Sequence, residues 1–267
     1  MKNLSISFLL ISLMLLAEAS FGQGMRKLDN NTFRPGEFLK YRVHYGLITA
    51  GFATVKVGNS MVREKDRPCY HIVVENYTTS TFDVFYKVRD KYESFFDQDA
   101  LLSLRFNRYI EEGKFISYTE THFDHLSHKA RYINNRKQVT YYSIPQNIQD
   151  VISAFYYART RYDNQRLKIG DRISLQNFID RKTVALQAEL KKREEIKVEG
   201  VKYKALKFNL LIEEAGMVTD NSKIEFWITD DANKIPIRIK SDLPIGSLKA
   251  DLVESKNLLH PLSARKD

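Results

Sequence analysis

Hydrophobic and polar residues alternate along most of this chain, and this period of two is the feature that most restricts its fold. The pattern covers residues 39–45, 70–75, 173–178, 224–229 and 235–240, among other runs. Alternation places every second side chain on the same face of a strand, so each run can bury one face and expose the other. Short polar turns separate the runs. The sequence therefore predicts an antiparallel meander of about a dozen strands.

One segment departs from this alternation and has the spacing of a helix. Within residues 148–161, apolar side chains such as Ile152, Phe155 and Tyr156 recur at intervals near one helical turn. Asn147 and Asp150 are both residue types that cap the start of a helix, so either could cap this one. We predict one amphipathic helix, at about 148–161, that packs against the sheet. The expected fold is mainly β, either a large curved antiparallel sheet or a barrel-like meander.

The N-terminal residues 1–19 have the composition of a secretory signal peptide. Lys2 provides a positive charge, residues 4–16 are apolar apart from serines, and Ala17 to Ala19 have the small-x-small form that a signal peptidase cleaves. The apolar run is too short for the roughly 30 Å hydrocarbon core of a bilayer. We expect export to the periplasm or cell envelope of a bacterium. The mature chain is expected to have no transmembrane segment, with peripheral membrane association as an option.

The domain boundaries follow from these features. Residues 20–33 are expected to form an N-terminal extension, residues 34–255 a single β-rich domain, and residues 256–267 a loose tail. One domain of this length is common among all-β folds. The alternative is two sheet halves that meet near residues 140–165.

Charge and cysteine content limit the partners. The chain has 42 Lys and Arg against 33 Asp and Glu, a net charge of +9. The excess is spread along the chain, without a basic arm or a nucleic-acid-binding module, so nucleic acid is not an expected partner. An even basic surface suits anionic lipid or polysaccharide, and the alternative is a surface that keeps the protein soluble and binds nothing. The single cysteine, Cys69, excludes a disulfide framework, and its strand context indicates a buried thiol.

Familiar catalytic motifs are missing from the sequence. It has no G-x-S-x-G nucleophile elbow and no glycine-rich nucleotide-binding loop. The sharpest cluster of metal-ligand side chains is His122, His125 and His128, which a hairpin could bring together. Solvent-facing hairpin histidines are the simpler interpretation. We expect a protein without a cofactor that is not an enzyme, and a metal-assisted hydrolase at these histidines is an alternative.

Four segments, in their order along the chain, resemble the bacterial domain-of-unknown-function family 3108 (DUF3108). These segments are Gly36 to Tyr41 with Ala50-Gly51, Asp150 to Arg159, Gly170-Asp171 with Asp180 to Lys182, and Trp227 to Ala250. The resemblance covers about residues 34–254. It implies an exported or envelope protein and no established activity, so it assigns no catalytic residue.

The resemblance also draws attention to the predicted helix. The family's helix Asp and Arg correspond to Asp150 and Arg159. One role for them is to cap the helix and close it against the sheet, and the other is ligand contact. Ser153 lies in the same helix, where a serine usually caps, packs or bonds backward.

Together these observations predict an exported envelope protein that is not an enzyme. We expect it to hold an apolar or amphiphilic ligand, such as a lipid or a glycan, on a curved β scaffold. This hypothesis rests on the signal-peptide pattern, on the 15 tyrosines and 16 phenylalanines, and on the missing catalytic motifs. One alternative is an envelope scaffold that binds other proteins through its sheet edges or faces. The other is the metal-assisted hydrolase.

Overall fold

A computed structural model describes residues 24–214, 217–219 and 224–266, and the predicted signal peptide at 1–19 lies outside these described residues. In chain order the strands are β1 (Phe38–Tyr45), β2 (Ile48–Val57), β3 (Val62–Glu64), β4 (Arg67–Thr78), β5 (Arg89–Asp97), β6 (Ser103–Glu112), β7 (Phe115–Asp124), β8 (Lys129–Ile133), β9 (Val139–Ser143), β10 (Arg172–Ile179), β11 (Lys182–Val198), β12 (Val201–Glu214), β13 (Met217–Thr219), β14 (Ile224–Thr229), β15 (Pro236–Asp242), β16 (Ser247–Lys256) and β17 (Arg265–Lys266). The helices are α1 (Ser80–Asp83) and α2 (Val151–Arg159).

The strands form one 17-stranded sheet in which every ladder is antiparallel. From edge to edge the order is β10-β11-β12-β14-β15-β16-β1-β2-β4-β5-β6-β7-β8-β9, and the short strands β3, β13 and β17 add to β4 and β12. Neighbours in this order are mostly neighbours in sequence, because short turns join them into hairpins. The prediction of a mainly β fold with a large curved antiparallel sheet is confirmed.

The two edges of the sheet approach each other around the segment that joins β9 to α2. At one edge, the backbone N–H of Ile144 donates to the carbonyl of His128 at 3.0 Å. At the other edge, Phe178 N–H donates to the carbonyl of Gln149 at 2.8 Å. Across this seam the rings of Phe123 and Phe178 meet edge-on, with centroids 5.9 Å apart. The wall is therefore barrel-like, and a connecting segment fills the seam in place of a β9–β10 ladder.

Helix α2 lies against the inner face of this wall. Ile152 and Tyr156 pack with Phe33 and side chains from β2, β4 and β5. Ala154 packs with side chains from β10, β11, β12 and β14. The helix is shorter than the predicted 148–161, because the preceding residues extend the sheet through a parallel bridge to β10. The interior is thus filled by the helix and its contacts.

Both terminal segments of the described chain contact the sheet. The N-terminal extension carries Phe33, which is buried and meets the ring of Tyr156 edge-on at 4.7 Å. The sequence predicts a loose tail after residue 256. In the structure this segment reaches β17, which pairs with β12, and the Asn233 side chain donates to the carbonyls of His260 and Pro261 at 3.1 Å. These contacts close one end of the barrel-like wall.

A buried ion pair joins α2 to the start of β1. Nη1 and Nη2 of Arg159 donate to the two carboxylate oxygens of Glu37 at 2.6 and 2.8 Å. The two side chains are 1% and 0% exposed. Burial lowers the pKa of Arg159, but Glu37 more than offsets this, so the pKa lies above its ordinary value. The Tyr156 hydroxyl donates to the same carboxylate at 3.1 Å.

The remaining donors of this guanidinium bind backbone carbonyls. Arg159 donates to the carbonyl of Asn233 through Nε at 3.1 Å and Nη2 at 2.9 Å, and to that of Thr32 at 3.2 Å. One side chain thereby connects the N-terminal segment, α2, β1 and the β14–β15 turn. Because charged hydrogen-bonding groups are costly to leave unpaired in an interior, these four parts are coupled.

We predict that Glu37→Ala destabilises the protein by about 3–5 kcal/mol, because it leaves the Arg159 charge buried without its partner. The matched control is Glu199→Ala, which removes the partner of the partly exposed Arg42 and is expected to cost about 0–1 kcal/mol. Urea unfolding followed by circular dichroism measures both. Equal losses in the two variants would contradict the role given to the buried pair.

Candidate functional site

The start of α2 is a buried polar cap whose carboxylate is held by protein donors. Oδ1 of Asp150 accepts from the backbone N–H groups of Ile152 and Ser153 at 2.8 Å, and its Oδ2 accepts from the Ser94 hydroxyl at 2.6 Å. Ser153 Oγ accepts from Asp150 N–H at 2.9 Å, which completes a capping box. Burial raises the pKa of Asp150, although these hydrogen bonds oppose the shift. Asp150, Ser153 and Arg159 all face protein atoms.

The three clustered histidines are not brought together. His122 on β7 contacts Glu120, and its Nδ1 lies 3.8 Å from Glu64. The simpler interpretation of the sequence placed His125 in solvent, and this is wrong. His125 is buried, and its Nε2 lies 2.7 Å from the Ser103 carbonyl. His128 adopts a φ of 54° in the β7–β8 turn. Within the described ranges, these histidines do not form a group whose ligand atoms converge.

A basic hollow of about 280 Å³ adjoins His122. Its lining consists of Lys65, His122, Asp124, Ser127, Lys129, Arg131 and Tyr141. Three cationic side chains face one carboxylate here, so the local charge favours an anion over a metal ion.

One other group of metal-type ligands does converge. The ligand atoms of His44, Glu199 and Asp251 all lie within 4.8 Å of one another. However, Arg238 donates to both Asp251 oxygens at 2.6 Å, and Arg42 donates to Glu199 at 2.9 Å. Burial alone would raise the pKa of Asp251, but Arg238 and His44 outweigh it and lower that pKa. Two guanidinium groups already hold the carboxylates, so the arrangement is an ion-pair network.

The single thiol has no catalytic environment. Cys69 on β4 is buried, as the sequence predicts. Burial, together with nearby Asp97 and Glu64, raises the pKa of the thiol to about 12. A protonated, enclosed thiol is a poor nucleophile.

An open groove of about 400 Å³ lies between the end of α2 and the start of β10. It is lined by Tyr157, Arg161, Tyr162, Leu167, Asp171, Arg172, Ile173 and Ser174. Two arginines, two tyrosines and two aliphatic side chains thus share one surface. The sequence contains no signal for this site, because its polar, aromatic and aliphatic residues follow no motif spacing.

The cations around Tyr157 leave one guanidinium available. Arg26 lies over the Tyr157 ring at 4.4 Å and Arg161 at 5.5 Å. Arg26 also donates to the carbonyls of Ala100 and Leu101. In the part of the chain that the structure describes, the exposed guanidinium of Arg161 makes no hydrogen bond or ion pair. It is therefore free to bind an anion.

The loop that forms one wall of the groove is held by side chains behind it. Nη2 of Arg193 donates to the Leu167 carbonyl at 2.8 Å, and Nη1 donates to Asp230 at the same distance. Asn164 Nδ2 donates to Asp230 at 3.0 Å. Lys234 Nζ lies 4.6 Å from the centre of the Tyr162 ring. These contacts preorganise the groove.

We predict that stability falls as the pH decreases below about 6.5, partly because of His125. Burial lowers the pKa of His125 from its ordinary 6.5, and its Nδ1 has no hydrogen-bond partner among the described residues. The unfolded chain therefore binds a proton at a pH where the folded chain does not. The variant His125→Phe should lose this part of the slope in urea unfolding measured from neutral pH downward. An unchanged slope would contradict it.

Comparison with solved structures shows a similar fold. The crystal structure of a β-barrel-like protein of domain of unknown function DUF1849 from Brucella abortus matches with a TM-score of 0.55 at 11% identity, over 85% of this chain and 99% of that chain. This likeness concerns the fold alone. A candidate lipoprotein from Parabacteroides distasonis matches at a TM-score of 0.29 and 10% identity, over 85% of this chain and all (100%) of that one. No curated protein matches the sequence.

None of the described helices is both long and apolar enough to span a membrane.

The profile of the protein family of unknown function DUF3108 matches residues 40–253, in agreement with the four sequence segments that resemble this family. The chain therefore belongs to the DUF3108 family.

Proposed function

We propose that this protein is an exported envelope protein that binds an amphiphilic ligand without transforming it. The ligand would place an anionic group against Arg161 and an apolar or ring-containing part against the tyrosines of the α2–β10 groove. The observation that carries the proposal is the unpaired Arg161 guanidinium beside aromatic and aliphatic walls.

The groove is preferred to the interior as the binding site. Helix α2 and its packing partners occupy the space inside the sheet. The Arg159–Glu37 pair adds a saturated polar contact there. A ligand inside would have to displace both, whereas the groove is open and its wall is already fixed. Binding sites of this size are common for small molecules.

The groove chemistry favours an anion joined to an apolar or sugar-like body. Guanidinium groups bind phosphate and carboxylate through paired hydrogen bonds. Tyr157, Tyr162, Leu167 and Ile173 offer rings and aliphatic surface next to that cation. An anionic lipid and an acidic glycan share this chemistry. Aromatic faces also stack on sugar rings and pack on acyl chains.

Two observations support a binding protein over an enzyme. No histidine or cysteine lines the groove. Its one carboxylate, Asp171, already accepts the backbone N–H of Lys168 at 2.8 Å. General acid–base or nucleophilic catalysis needs a positioned group of this kind aimed at the substrate. Export rests on the signal-peptide pattern of residues 1–19.

We predict that Arg161→Gln weakens ligand binding about tenfold, the loss expected for one charge-assisted contact. The ligand class is first identified by native mass spectrometry of protein purified gently from its own envelope. Monomeric dihexanoyl phosphatidylglycerol and a short acidic oligosaccharide then serve as calorimetric probes for the two sources. The control Arg63→Gln removes the same charge from β3, away from the groove.

The two arms of this experiment separate the ligand sources. Binding of one probe that weakens in Arg161→Gln and persists in Arg63→Gln supports the proposal and names the class. If neither probe binds and the native protein carries no added mass, the groove proposal fails. Equal losses in both variants would also count against it, because that result indicates only general charge attraction.

A second candidate is an envelope scaffold that pairs with other proteins through β9. This strand pairs with β8, and Val139 and Tyr141 on it are exposed large side chains. An open strand edge can accept a strand from another chain. The scaffold function predicts slower amide exchange in residues 139–143 when the protein is isolated in an envelope complex than when it is purified. Equal exchange rates contradict it.

A further inference from the structure

Four of the chain's turns lie at the same end of the sheet and carry exposed apolar side chains. They are the β1–β2, β4–β5, β6–β7 and β15–β16 connections, which the antiparallel order places on one rim. We name this end the turn rim. Its most exposed apolar residues are Leu47 at 98%, Val84 at 82%, and Phe85 and Ile245 at 81%. Ile48, Phe115, Ile116 and Leu243 are exposed beside them.

Hydrogen bonds join these turns side by side. The Tyr45 hydroxyl donates to the Ile245 carbonyl at 3.0 Å, which connects the β1–β2 and β15–β16 turns. Thr79 N–H donates to the Ala50 carbonyl at 3.0 Å, which connects the β4–β5 connection to β2. In the same β4–β5 connection, the carbonyl of Lys87 accepts from Gly113 N–H at 2.8 Å, which connects it to the β6–β7 turn. The apolar side chains therefore sit on one continuous, fixed rim.

Four tyrosines lie at or close to the rim. Tyr45 and Tyr86 border or lie in rim turns, whereas Tyr109 lies three residues before the end of β6 and Tyr118 three residues after the start of β7. Tyr45, Tyr86, Tyr109 and Tyr118 are each partly exposed, and Tyr109 lies directly opposite Tyr118 in the β6–β7 ladder. Tyrosine prefers the level where a bilayer meets water, because its ring is apolar and its hydroxyl is polar. Apolar tips with tyrosines behind them match the depth profile of a membrane interface.

The charges on this end of the sheet favour an anionic surface. The β8–β9 and β10–β11 turns lie at this same end of the sheet. None of the cations in or beside the turns of this end has an ion pair among the described residues, and these cations are Lys114, Arg136, Lys137, Arg181 and Lys182. Most acidic side chains on the rim are already paired with cations. These pairs are Asp83 with Arg89, Glu111 with Lys87, Asp180 with Arg108, and Asp242 with Lys240. Glu112 accepts only from the Tyr86 hydroxyl, at 3.5 Å. Among the side chains that the structure describes at this end, the unpaired charge is therefore mainly positive.

We propose that the turn rim docks onto the surface of an anionic lipid bilayer. Leu47, Phe85 and Ile245 enter the boundary between headgroups and acyl chains, and the unpaired lysines and arginines meet the anionic headgroups. A lipid surface fits better than a folded partner, because the apolar residues protrude on separate turns and do not form one shaped pocket. The inference goes beyond the groove function and does not depend on it, since the groove lies toward the opposite end of β10.

The test is binding of the purified chain to vesicles of equal parts phosphatidylcholine and phosphatidylglycerol, measured by flotation. We expect binding that is much weaker on pure phosphatidylcholine vesicles and at high salt. The double variant Leu47→Ser/Phe85→Ser should lower vesicle binding at least tenfold, because two side chains no longer bury apolar surface. Its unfolding midpoint in urea should stay unchanged, since both side chains are exposed.

The matched control is Leu126→Ser, which removes an exposed leucine from the β7–β8 turn at the opposite end. It should bind vesicles like the parent chain, and so should Arg161→Gln. No vesicle binding by the parent, or equal losses in Leu126→Ser and the rim variant, would overturn the proposal. A dimer that the rim variant dissociates, without vesicle binding, would assign the rim to a second copy and overturn it too. If vesicle binding is observed but the groove binds neither probe, only the proposed groove function is contradicted.

Discussion

The neutralisation of one buried guanidinium determines how this fold is assembled. Arg159 donates five hydrogen bonds inside the sheet, and their acceptors are the Glu37 carboxylate and two backbone carbonyls. Each acceptor comes from a different part of the chain. The helix can sit at this depth only when β1, the N-terminal segment and the β14–β15 turn are all in place. The filled interior and the closed end of the barrel-like wall follow from that requirement.

Because the interior is filled, we propose that recognition takes place on the outside of the molecule. Many barrels hold ligands within their walls, but here the corresponding space contains α2. The outer surface instead offers a groove at the end of α2 and an apolar rim at the far end of the strands. The groove has one free guanidinium and a preorganised wall, and the rim has apolar tips with unpaired cations. Both favour anionic amphiphiles, which agrees with the excess of basic residues.

The sequence predicts local features well and distant pairings poorly. Alternation revealed the antiparallel sheet, and of the two candidate caps, Asn147 and Asp150, the structure uses Asp150. Nothing near Arg159 indicates its partner, because Glu37 is 122 residues away. The burial of His125 was missed because it depends on one carbonyl of another strand. The groove was missed because Tyr157 and Arg161 meet residues from β10 only after folding. The rim could have been suspected from apolar residues placed in turns, such as Leu47 after Gly46.

The position of β1 in the sheet affects when the chain can complete its folding. Its two neighbours are β2, which follows it directly, and β16, which ends near residue 256. One edge of the first strand therefore has no partner until almost the whole chain is present. Long-range pairing of this kind slows folding. The export that we propose would benefit from that delay, since the barrel-like wall cannot close before β16 has crossed the membrane.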